Sequence, residues 1–250
     1  MQRAPQKQRV KGERRDSTLI KEKFKEQREN AVRANPLKPL NAKQATYIKL
    51  LQEKPVVVAT GYAGTSKSYV PTVLAADKYK LGEINKIIIT RPAISSSKSV
   101  GFFTGSHTEK MQVWLAPVVS ILKERLGTAM YEIALAKQDI EFLPLEVVKG
   151  LSVNDAFMLC EESSDLTKEE VIKLVTRMGK NSTLVLAGDI RQSELREDSG
   201  LAWLAHFIAR HNMQDIFGHI DFNSTDDIVR SDAVKRFIIN ITRDEKKGIN

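Results

Sequence analysis

Short runs of apolar residues alternate with longer amphipathic segments along most of the chain. Six apolar runs lie between polar or turn-forming residues, at 55–59, 86–90, 140–145, 156–160, 183–187 and 218–222. Short continuous apolar runs are typical of strands that are buried on both faces of a parallel sheet. Between the runs, helical periodicity predicts helices over residues 67–80, 109–126, 167–178, 199–211 and 231–242. This alternation predicts an α/β domain whose mostly parallel sheet has helices on both faces.

The first 35 residues follow a different pattern, in which charged residues predominate and large apolar residues are few. Such a segment cannot bury enough apolar surface to offset the entropy lost on ordering, so we expect disorder in residues 1–16. Apolar residues at roughly helical spacing predict a charged helix over residues 17–33. Pro36 and Pro39 mark a boundary. The sequence therefore predicts a partly disordered or helical basic arm, residues 1–35, and one domain, residues 36–250.

The positive charge of the chain is concentrated in and next to this arm. The whole chain has 39 Lys and Arg against 31 Asp and Glu. Residues 1–45 hold 13 basic and five acidic residues, and the other 205 residues hold 26 of each sign. A basic cluster of this kind suits salt-sensitive, sequence-independent binding to nucleic-acid phosphates. A solvated tail or a tail that docks on another subunit is the alternative interpretation.

Several protein classes are disfavoured by the composition. No stretch approaches the ~18 apolar residues that cross a bilayer. The basic N-terminus lacks the apolar segment of a secretory signal, and its acidic residues argue against a transit peptide. Cys160 is the single cysteine, which excludes an internal disulfide or a Cys-based zinc site, and the four histidines lack metal spacing. We therefore expect a cytoplasmic protein.

The strongest motif is GYAGTSKS at residues 61–68, which follows a predicted strand and opens a predicted helix, as a P-loop does. Unpaired N–H groups and the positive dipole end of a helix N-terminus suit a phosphate. Lys67 would reach the outer phosphates, and the Ser68 hydroxyl would bind Mg²⁺. The predicted nucleotide-binding residues in this segment are Gly61, Tyr62, Ala63, Gly64, Thr65, Ser66, Lys67, Ser68 and Tyr69.

Ser66 stands where the usual P-loop pattern has glycine, which lets the backbone approach phosphate without a Cβ in the way. We therefore expect a functional loop of lower affinity. The alternative is a Gly/Ser-rich loop that only looks like a P-loop.

Two glutamates follow the apolar run 156–160, at a strand end where α/β sheets place ligands. We expect this strand to neighbour the P-loop strand, with Glu161 holding Mg²⁺ and Glu162 orienting the attacking water. The alternative is that both glutamates begin a solvated turn. Asp189 and Gln192 follow the next run and are candidates for sensing the terminal phosphate.

Together these segments resemble the PhoH family of P-loop ATPases, from about Lys38 to Ile239, and look most like its shorter bacteriophage members. The chain departs from the family pattern at Ser66, at Glu161 where Asp is usual, at 163–164 where Ala-Gln is usual, and at Leu151. The matching segments are 40–44, 61–68, 90–93, 100–102, 154–157, 161–162, 174–179, 188–192, 199–201 and 227–230.

The resemblance implies a single RecA-like P-loop NTPase domain, similar to one lobe of superfamily 1 helicases, that uses ATP and Mg²⁺. It implies action on single-stranded nucleic acid, with RNA the expected substrate. Gln44 would contact adenine, and Arg91 would lie near the nucleotide or the nucleic-acid path. Arg230 would take the place of the helicase arginine that touches the γ-phosphate. With Lys67, Glu162 and Gln192, it completes the expected catalytic set.

One lobe leaves the ATP site open on one side, and an arginine from a neighbouring subunit can complete such a site. Head-to-tail contacts repeat until a ring closes, and the family is associated with hexamers, so we expect a homo-oligomer. Arg177 or Arg230 could be donated in this way. For contact with the nucleic-acid strand, the candidate residues are Arg91, Lys98, Lys110, Phe102, Phe103 and Trp114.

The sequence is therefore compatible with three functions. The first is an ATP hydrolase that moves along or remodels single-stranded nucleic acid, as an RNA helicase does. The second is a nucleotide-binding, nucleic-acid-binding module whose assembly is regulated by ATP, with weak or no hydrolysis. The third is a plain nucleic-acid-binding protein with a vestigial loop.

Overall fold

The computed structural model describes residues 12–92, 107–193, 195 and 198–247. The chain divides into two compact units, which meet in the sequence at Pro36 and Leu37. In the first unit, helix α1 (Gly12–Ala34) contains the predicted helix 17–33. The prediction of disorder was wrong for residues 12–16, because the helix already begins at Gly12. Residues 1–11 lie outside the described part of the chain.

The second unit is built on a six-stranded sheet in which every neighbouring pair is parallel. The order of the strands across the sheet is β3-β2-β4-β5-β1-β6. This confirms the predicted α/β fold with one parallel sheet. The strands are β1 (Val56–Gly61), β2 (Lys86–Thr90), β3 (Ile140–Phe142), β4 (Ala156–Cys160), β5 (Thr183–Ala187) and β6 (Phe217–Phe222).

Alternate strand residues enter two separate hydrophobic clusters, one on each face of the sheet. In β1, Val57 and Ala59 belong to one cluster, whereas Val56 and Val58 belong to the other. Helices α2 to α6 cover the first cluster, and α7 to α9 cover the second. The described helices of this unit are α2 (Ala42–Glu53), α3 (Tyr69–Leu81), α4 (His107–Trp114), α5 (Ala116–Leu126), α6 (Thr128–Ala136), α7 (Leu145–Val148), α8 (Lys168–Val175), α9 (Gly200–Arg210) and α10 (Asp232–Lys247).

Several predicted elements differ from the observed ones, and prolines explain two of the differences. The predicted strand 140–145 stops at Phe142, because Pro144 precedes and caps helix α7. The predicted helix 109–126 is two helices that break at Leu115, because Pro117 cannot donate the hydrogen bond that would continue α4. Helices α2, α6 and α7 were not predicted. No helix in the described ranges is long and apolar enough to cross a membrane.

The strand that carries Glu161 does not pair with the P-loop strand, so that expectation was wrong. Strand β5 lies between β1 and β4 and pairs with both. All three strands nevertheless end at the same edge of the sheet, because all are parallel. The P-loop, the acidic pair and the segment after β5 therefore meet at this edge.

Candidate nucleotide-binding site

The P-loop segment joins β1 to α3 and is fastened to the end of β6. The amide of Tyr62 donates to the carbonyl of Phe222 at 2.9 Å. Gly61 has φ +115°, and a Cβ at this position would clash with the Phe222 carbonyl group. Glycine at position 61 therefore permits both the turn and the close approach of β6.

Ser66 adopts a left-handed backbone conformation, with φ +71°. For a residue with a Cβ, this conformation costs about 1–2 kcal/mol. Glycine at this position of a P-loop therefore has a second physical reason, beyond the close approach of phosphate. The strain remains in this chain because the flanking strand and helix fix the turn.

Lys67 turns back over the loop that carries it. Its ammonium group donates to the carbonyls of Gly61 and Tyr62 at 2.7 and 2.6 Å. Burial lowers the pKa of Lys67, and the nearby charge of Asp189 opposes this shift. The ammonium group is therefore held at the loop, where it can exchange these carbonyls for phosphate oxygens.

Tyr47 of α2 contacts the P-loop and was not identified from the sequence. Its hydroxyl donates to the backbone carbonyl of Lys67 at 2.9 Å. Its buried ring packs edge-on against the ring of Phe222, with 5.6 Å between the ring centres. The buried side of α2 consists of Gln44, Tyr47 and Leu51. This i, i+3, i+7 spacing was the signal that could have revealed both the helix and the tyrosine.

Ser68 and Glu161 form the direct contact between the P-loop and the acidic pair. The Ser68 hydroxyl donates to Oε2 of Glu161 at 2.7 Å. The other carboxylate oxygen, Oε1, is buried and has no hydrogen-bond partner among the described residues. Burial raises the pKa of Glu161 to about 7, and the hydrogen bond from Ser68 opposes the shift. A buried carboxylate with a free oxygen favours a bound cation.

The oxygen donors at this point fit Mg²⁺, which prefers carboxylate and hydroxyl ligands and retains several waters. Within the described ranges, no group of three or more His, Cys, Asp or Glu residues could hold a metal ion by itself. An ion beside Ser68 and Glu161 would therefore complete its coordination with phosphate oxygens and water. This arrangement is typical of magnesium that binds together with a nucleotide.

Glu162 follows directly and adopts a left-handed conformation, with φ 51° and ψ 38°. Its exposed side chain lines the cavity beside the P-loop. Unfavourable backbone conformations of this kind are concentrated at functional sites. The conformation turns the chain sharply after Glu161, so that the adjacent glutamates have different environments: the first is half-buried with a buried carboxylate oxygen, and the second is exposed.

A cavity of about 600 Å³ adjoins the loop, and most predicted site residues line it. Gly61, Tyr62 and Gln44 do not belong to its lining. The polar lining includes Ser66, Lys67, Ser68, Arg91, Glu161, Glu162, Asp189, Gln192 and Arg230, with Ala63, Gly64, Thr65 and Tyr69 beside them. An apolar wall from α4 and α5 includes Trp114, Leu115, Pro117, Val118 and Ile121.

Asp189 and Gln192, the two candidate phosphate sensors after β5, have different surroundings. Asp189 is buried and accepts two hydrogen bonds from the Arg191 guanidinium, at 2.9 and 2.8 Å, and a third from the Arg191 backbone amide at 3.2 Å. The Arg191 guanidinium lies 3.6 Å from the centre of the Tyr62 ring. Asp189 therefore anchors a loop that also covers the P-loop tyrosine. Gln192, which lines the cavity, is the better placed of the two for a phosphate.

Gln44 lies buried in the first turn of α2. Its side-chain oxygen accepts a hydrogen bond from the backbone amide of Leu40 at 2.9 Å. Its backbone amide donates to the side-chain oxygen Oδ1 of Asn41 at 2.8 Å. These bonds leave its side-chain nitrogen Nε2 buried without a hydrogen-bond partner in the described part of the chain. Gln44 therefore retains an unused donor, but this donor is buried and lies outside the lining of the cavity.

The two arginine candidates lie at different ends of the sheet. Arg230 lines the cavity, and a Cβ on Gly64 would lie 2.7 Å from its Cγ. Arg177 accepts a backbone hydrogen bond from Val153, which precedes β4, so it lies toward the opposite edge. Arg230 therefore lies beside the P-loop of its own chain, whereas Arg177 does not line the cavity.

The candidate strand-binding residues are only partly covered by the structure. Arg91 and Trp114 line the cavity, and Nε of Arg91 is buried without a partner among the residues described. Lys98, Phe102 and Phe103 lie outside the described residues, as does the side chain of Lys110.

Comparison with known proteins agrees with this geometry. A family model described as PhoH-like protein matches residues 36–242. A PhoH-like protein of Bacillus subtilis is 32% identical over 199 residues, which cover 78% of this chain and 60% of that protein. Protein PhoH of Escherichia coli K12 is 28% identical over 204 residues, covering 81% and 57% of the two chains.

A PhoH-like protein of Mycobacterium tuberculosis H37Rv is 27% identical over 216 residues, covering 86% of this chain and 61% of its own. The chain thus spans about three fifths of the length of these relatives. The matched region runs from before α2 into α10 and contains the whole sheet and the cavity. This chain therefore belongs to the PhoH family, which is P-loop ATPase-like.

Proposed function

We propose that the chain binds ATP with Mg²⁺, hydrolyses it, and uses the reaction to move along or remodel single-stranded nucleic acid, preferentially RNA. The observation that carries the proposal is the contact between Ser68 and Glu161, with Glu162 exposed beside them. A hydroxyl at a helix N-terminus, a buried carboxylate and an exposed second carboxylate are the protein groups that metal-assisted phosphoryl transfer requires.

Each residue then has a defined task. The amides of the loop and Lys67 would bind the β- and γ-phosphates, and Ser68 and Glu161 would hold a magnesium ion, which would supply positive charge against the charge that develops on the phosphates. Glu162 orients the attacking water, and Gln192 contacts the terminal phosphate. Arg230, whose side chain lies beside Gly64, would contact the terminal phosphate, and Gln44 would use its Nε2 donor to bind adenine.

The decisive experiment is ATP hydrolysis measured with and without RNA at a stated salt concentration. Lys67→Ala should reduce turnover by at least about 10³-fold, because the outer phosphates lose their main positive contact. Lys49→Ala is the matched control, since this lysine is 71% exposed on α2 and forms a long ion pair, 3.9 Å, with Glu53. If the unaltered protein hydrolyses ATP no faster than the background rate when Mg²⁺ and RNA are present, the proposal is refuted.

The interaction with nucleic acid is inferred from two features. The arm supplies long-range attraction, because the positive charge of the chain lies there and next to it. Arg91 and Trp114, at the cavity, supply a phosphate contact and a surface on which a base can stack. We infer a cytoplasmic location, where ATP and RNA are both available.

A second candidate function is favoured by the strain at Ser66. In this case the chain binds ATP as a ligand that controls assembly, with weak or no hydrolysis. ATP would then change the oligomeric state without turnover, which light scattering coupled to size exclusion would detect. Turnover well above background, abolished by Lys67→Ala, would exclude it. RNA binding without any nucleotide binding in calorimetry would instead favour the third function, in which the loop is vestigial.

We further propose that the chain forms a ring, with six copies expected. Helix α10 presents an exposed apolar stripe, Val234, Phe237 and Ile241, and Phe237 is 66% exposed. These residues repeat at i, i+3 and i+7, so they share one face of the helix. Exposed apolar stripes of this kind are typical of contact surfaces between subunits. Phe237→Asp should reduce the measured mass to that of the monomer. If the Phe237→Asp variant keeps the mass of the oligomer, the contact between subunits lies on another surface.

A further inference from the structure

The segment between β6 and α10 carries Arg230 to the P-loop and is fixed at two points. The amide of Val229 donates to the carbonyl of Gly64 at 2.9 Å. At its start, Ser224 and Asp227 cap a short helical turn, in which Asp227 accepts from the amide of Ser224 at 3.0 Å. The segment therefore has its own local structure, and the position of Arg230 depends on how that structure is held.

Lys43 connects this segment to α2. Its ammonium group donates to Oδ2 of Asp227 at 2.9 Å and to Oδ1 of Asn223 at 3.0 Å. The Asp227 side chain is only 9% exposed. A nearly buried carboxylate with a charged partner has a stronger interaction than an exposed pair, because water screens it less. The contact is thus stronger than an ordinary surface ion pair.

The same turn of α2 carries Gln44, the proposed adenine contact, whose Nε2 has no hydrogen-bond partner among the described residues. Lys43 and Gln44 are neighbours, so a shift at the start of the helix moves both. One end of the ion pair is therefore at the proposed base site, and the other end is three residues from Arg230.

We propose that Lys43 and Asp227 are positioning residues, which hold Arg230 over the P-loop by tying its segment to α2. The inference rests on the proposed function. Neither residue lines the cavity, so both would act through Arg230. Because Arg230 acts on the terminal phosphate, loss of the pair should lower kcat while KM changes less than twofold.

The first test compares two neighbouring aspartates. Asp227→Asn preserves shape but removes the charge, and should lower kcat by about 10-fold, as loss of a supporting residue does. Asp226→Asn is the matched control, because Asp226 is 92% exposed and 3.9 Å from Lys235. Lys43→Met should reproduce the effect of Asp227→Asn, and Lys43→Arg should retain most of the activity.

A second test separates positioning from general stability. In an Arg230→Ala background, Asp227→Asn should lower kcat by less than twofold, since the residue through which it acts is already lost. A purely structural role would give the same factor in both backgrounds, and this result would overturn the proposal.

A third readout does not depend on hydrolysis. Hydrogen exchange of the Val229 amide should accelerate in Asp227→Asn and in Lys43→Met, but not in Asp226→Asn. If the unaltered protein does not hydrolyse ATP, the proposed function fails, while this exchange still tests the positioning. Unchanged exchange in both loss variants would refute it, and Lys43→Met serves alone if Asp227→Asn does not fold.

Discussion

The hydroxyl oxygen of Ser68 lies 2.7 Å from Oε2 of Glu161, although 93 residues separate them in the sequence. Ser68 precedes α3, and Glu161 follows β4, which is separated from β1 by β5. The carboxylate must therefore reach past one intervening strand. The side chain of glutamate is one methylene longer than that of aspartate, which suits this reach.

Glu161→Asp should therefore weaken the site instead of improving it. The shorter side chain draws the carboxylate away from Ser68, and we expect the Mg²⁺ requirement for nucleotide binding to rise by about 10-fold or more. The measurement is a Mg²⁺ titration of the binding of a fluorescent ATP analogue.

Glu161→Gln is the control, because it retains the length and can still accept from Ser68 but has no charge. This variant should abolish the dependence of nucleotide binding on Mg²⁺ altogether. An aspartate variant that needs less Mg²⁺ than the unaltered protein would show that the length of Glu161 is not adapted to this site.

Ser66→Gly should stabilise the P-loop. The substitution removes a left-handed strain of about 1–2 kcal/mol, and the greater freedom of glycine when unfolded offsets about 0.5–1 kcal/mol of this gain. We expect a net increase of up to about 1.5 kcal/mol in the free energy of unfolding, with tighter ATP binding. Ser66→Ala retains the Cβ and its strain, so it should show neither gain. Equal results for glycine and alanine would assign the effect to the lost hydroxyl.

Gly61→Ala should destabilise the protein strongly, because the new Cβ would clash with the backbone of Phe222 and φ is +115°. Gly82→Ala is the matched control, since Gly82 also has a positive φ, +74°, but no described atom within 4 Å of the new Cβ. Denaturant unfolding should give a loss of about 1–2 kcal/mol for Gly82→Ala from the backbone alone. A similar loss for both variants would mean that β6 can move away.

Local patterns predicted the parts of this site that short segments of sequence encode. The P-loop, the acidic pair after β4 and the six strands all have signatures within about eight residues. The order of the strands has no such signature, so the position of β5 between β1 and β4 was not foreseen. Helix α2 was also missed, because its buried side combines a glutamine with a tyrosine and a leucine.

The supporting contacts were the least predictable part. Tyr47 reaches Lys67 across 20 residues, and Lys43 reaches Asp227 across 184. Each partner alone is an ordinary tyrosine, lysine or aspartate, and only the folded chain brings them together. The stacking of Arg191 on Tyr62 is of the same kind. The candidate phosphate-binding residues could therefore be named from the sequence, whereas the residues that hold them in place could not.

Cys160 should resist alkylation in the folded protein. The thiol is fully buried in β4, and burial raises its pKa to about 12. The reactive thiolate is therefore scarce and shielded at pH 8. Alkylation followed by mass spectrometry should be slow without denaturant and fast above the unfolding midpoint. Rapid alkylation of the native protein would indicate that β4 opens readily, and the acidic pair beside it would then share that motion.

Deletion of residues 1–35 should weaken RNA binding and reduce its salt dependence while it leaves basal ATP hydrolysis unchanged. The deletion removes 11 of the 13 basic residues of segment 1–45. Each phosphate that the arm no longer neutralises reduces the slope of log K against log salt by about 0.7 for a single strand. A chain in which glutamine replaces the basic residues of the arm is the matched control, because it retains the length. If the deleted chain keeps both its affinity and its slope, the arm is a docking or solubility tail, and the cavity residues Arg91 and Trp114 must supply the binding.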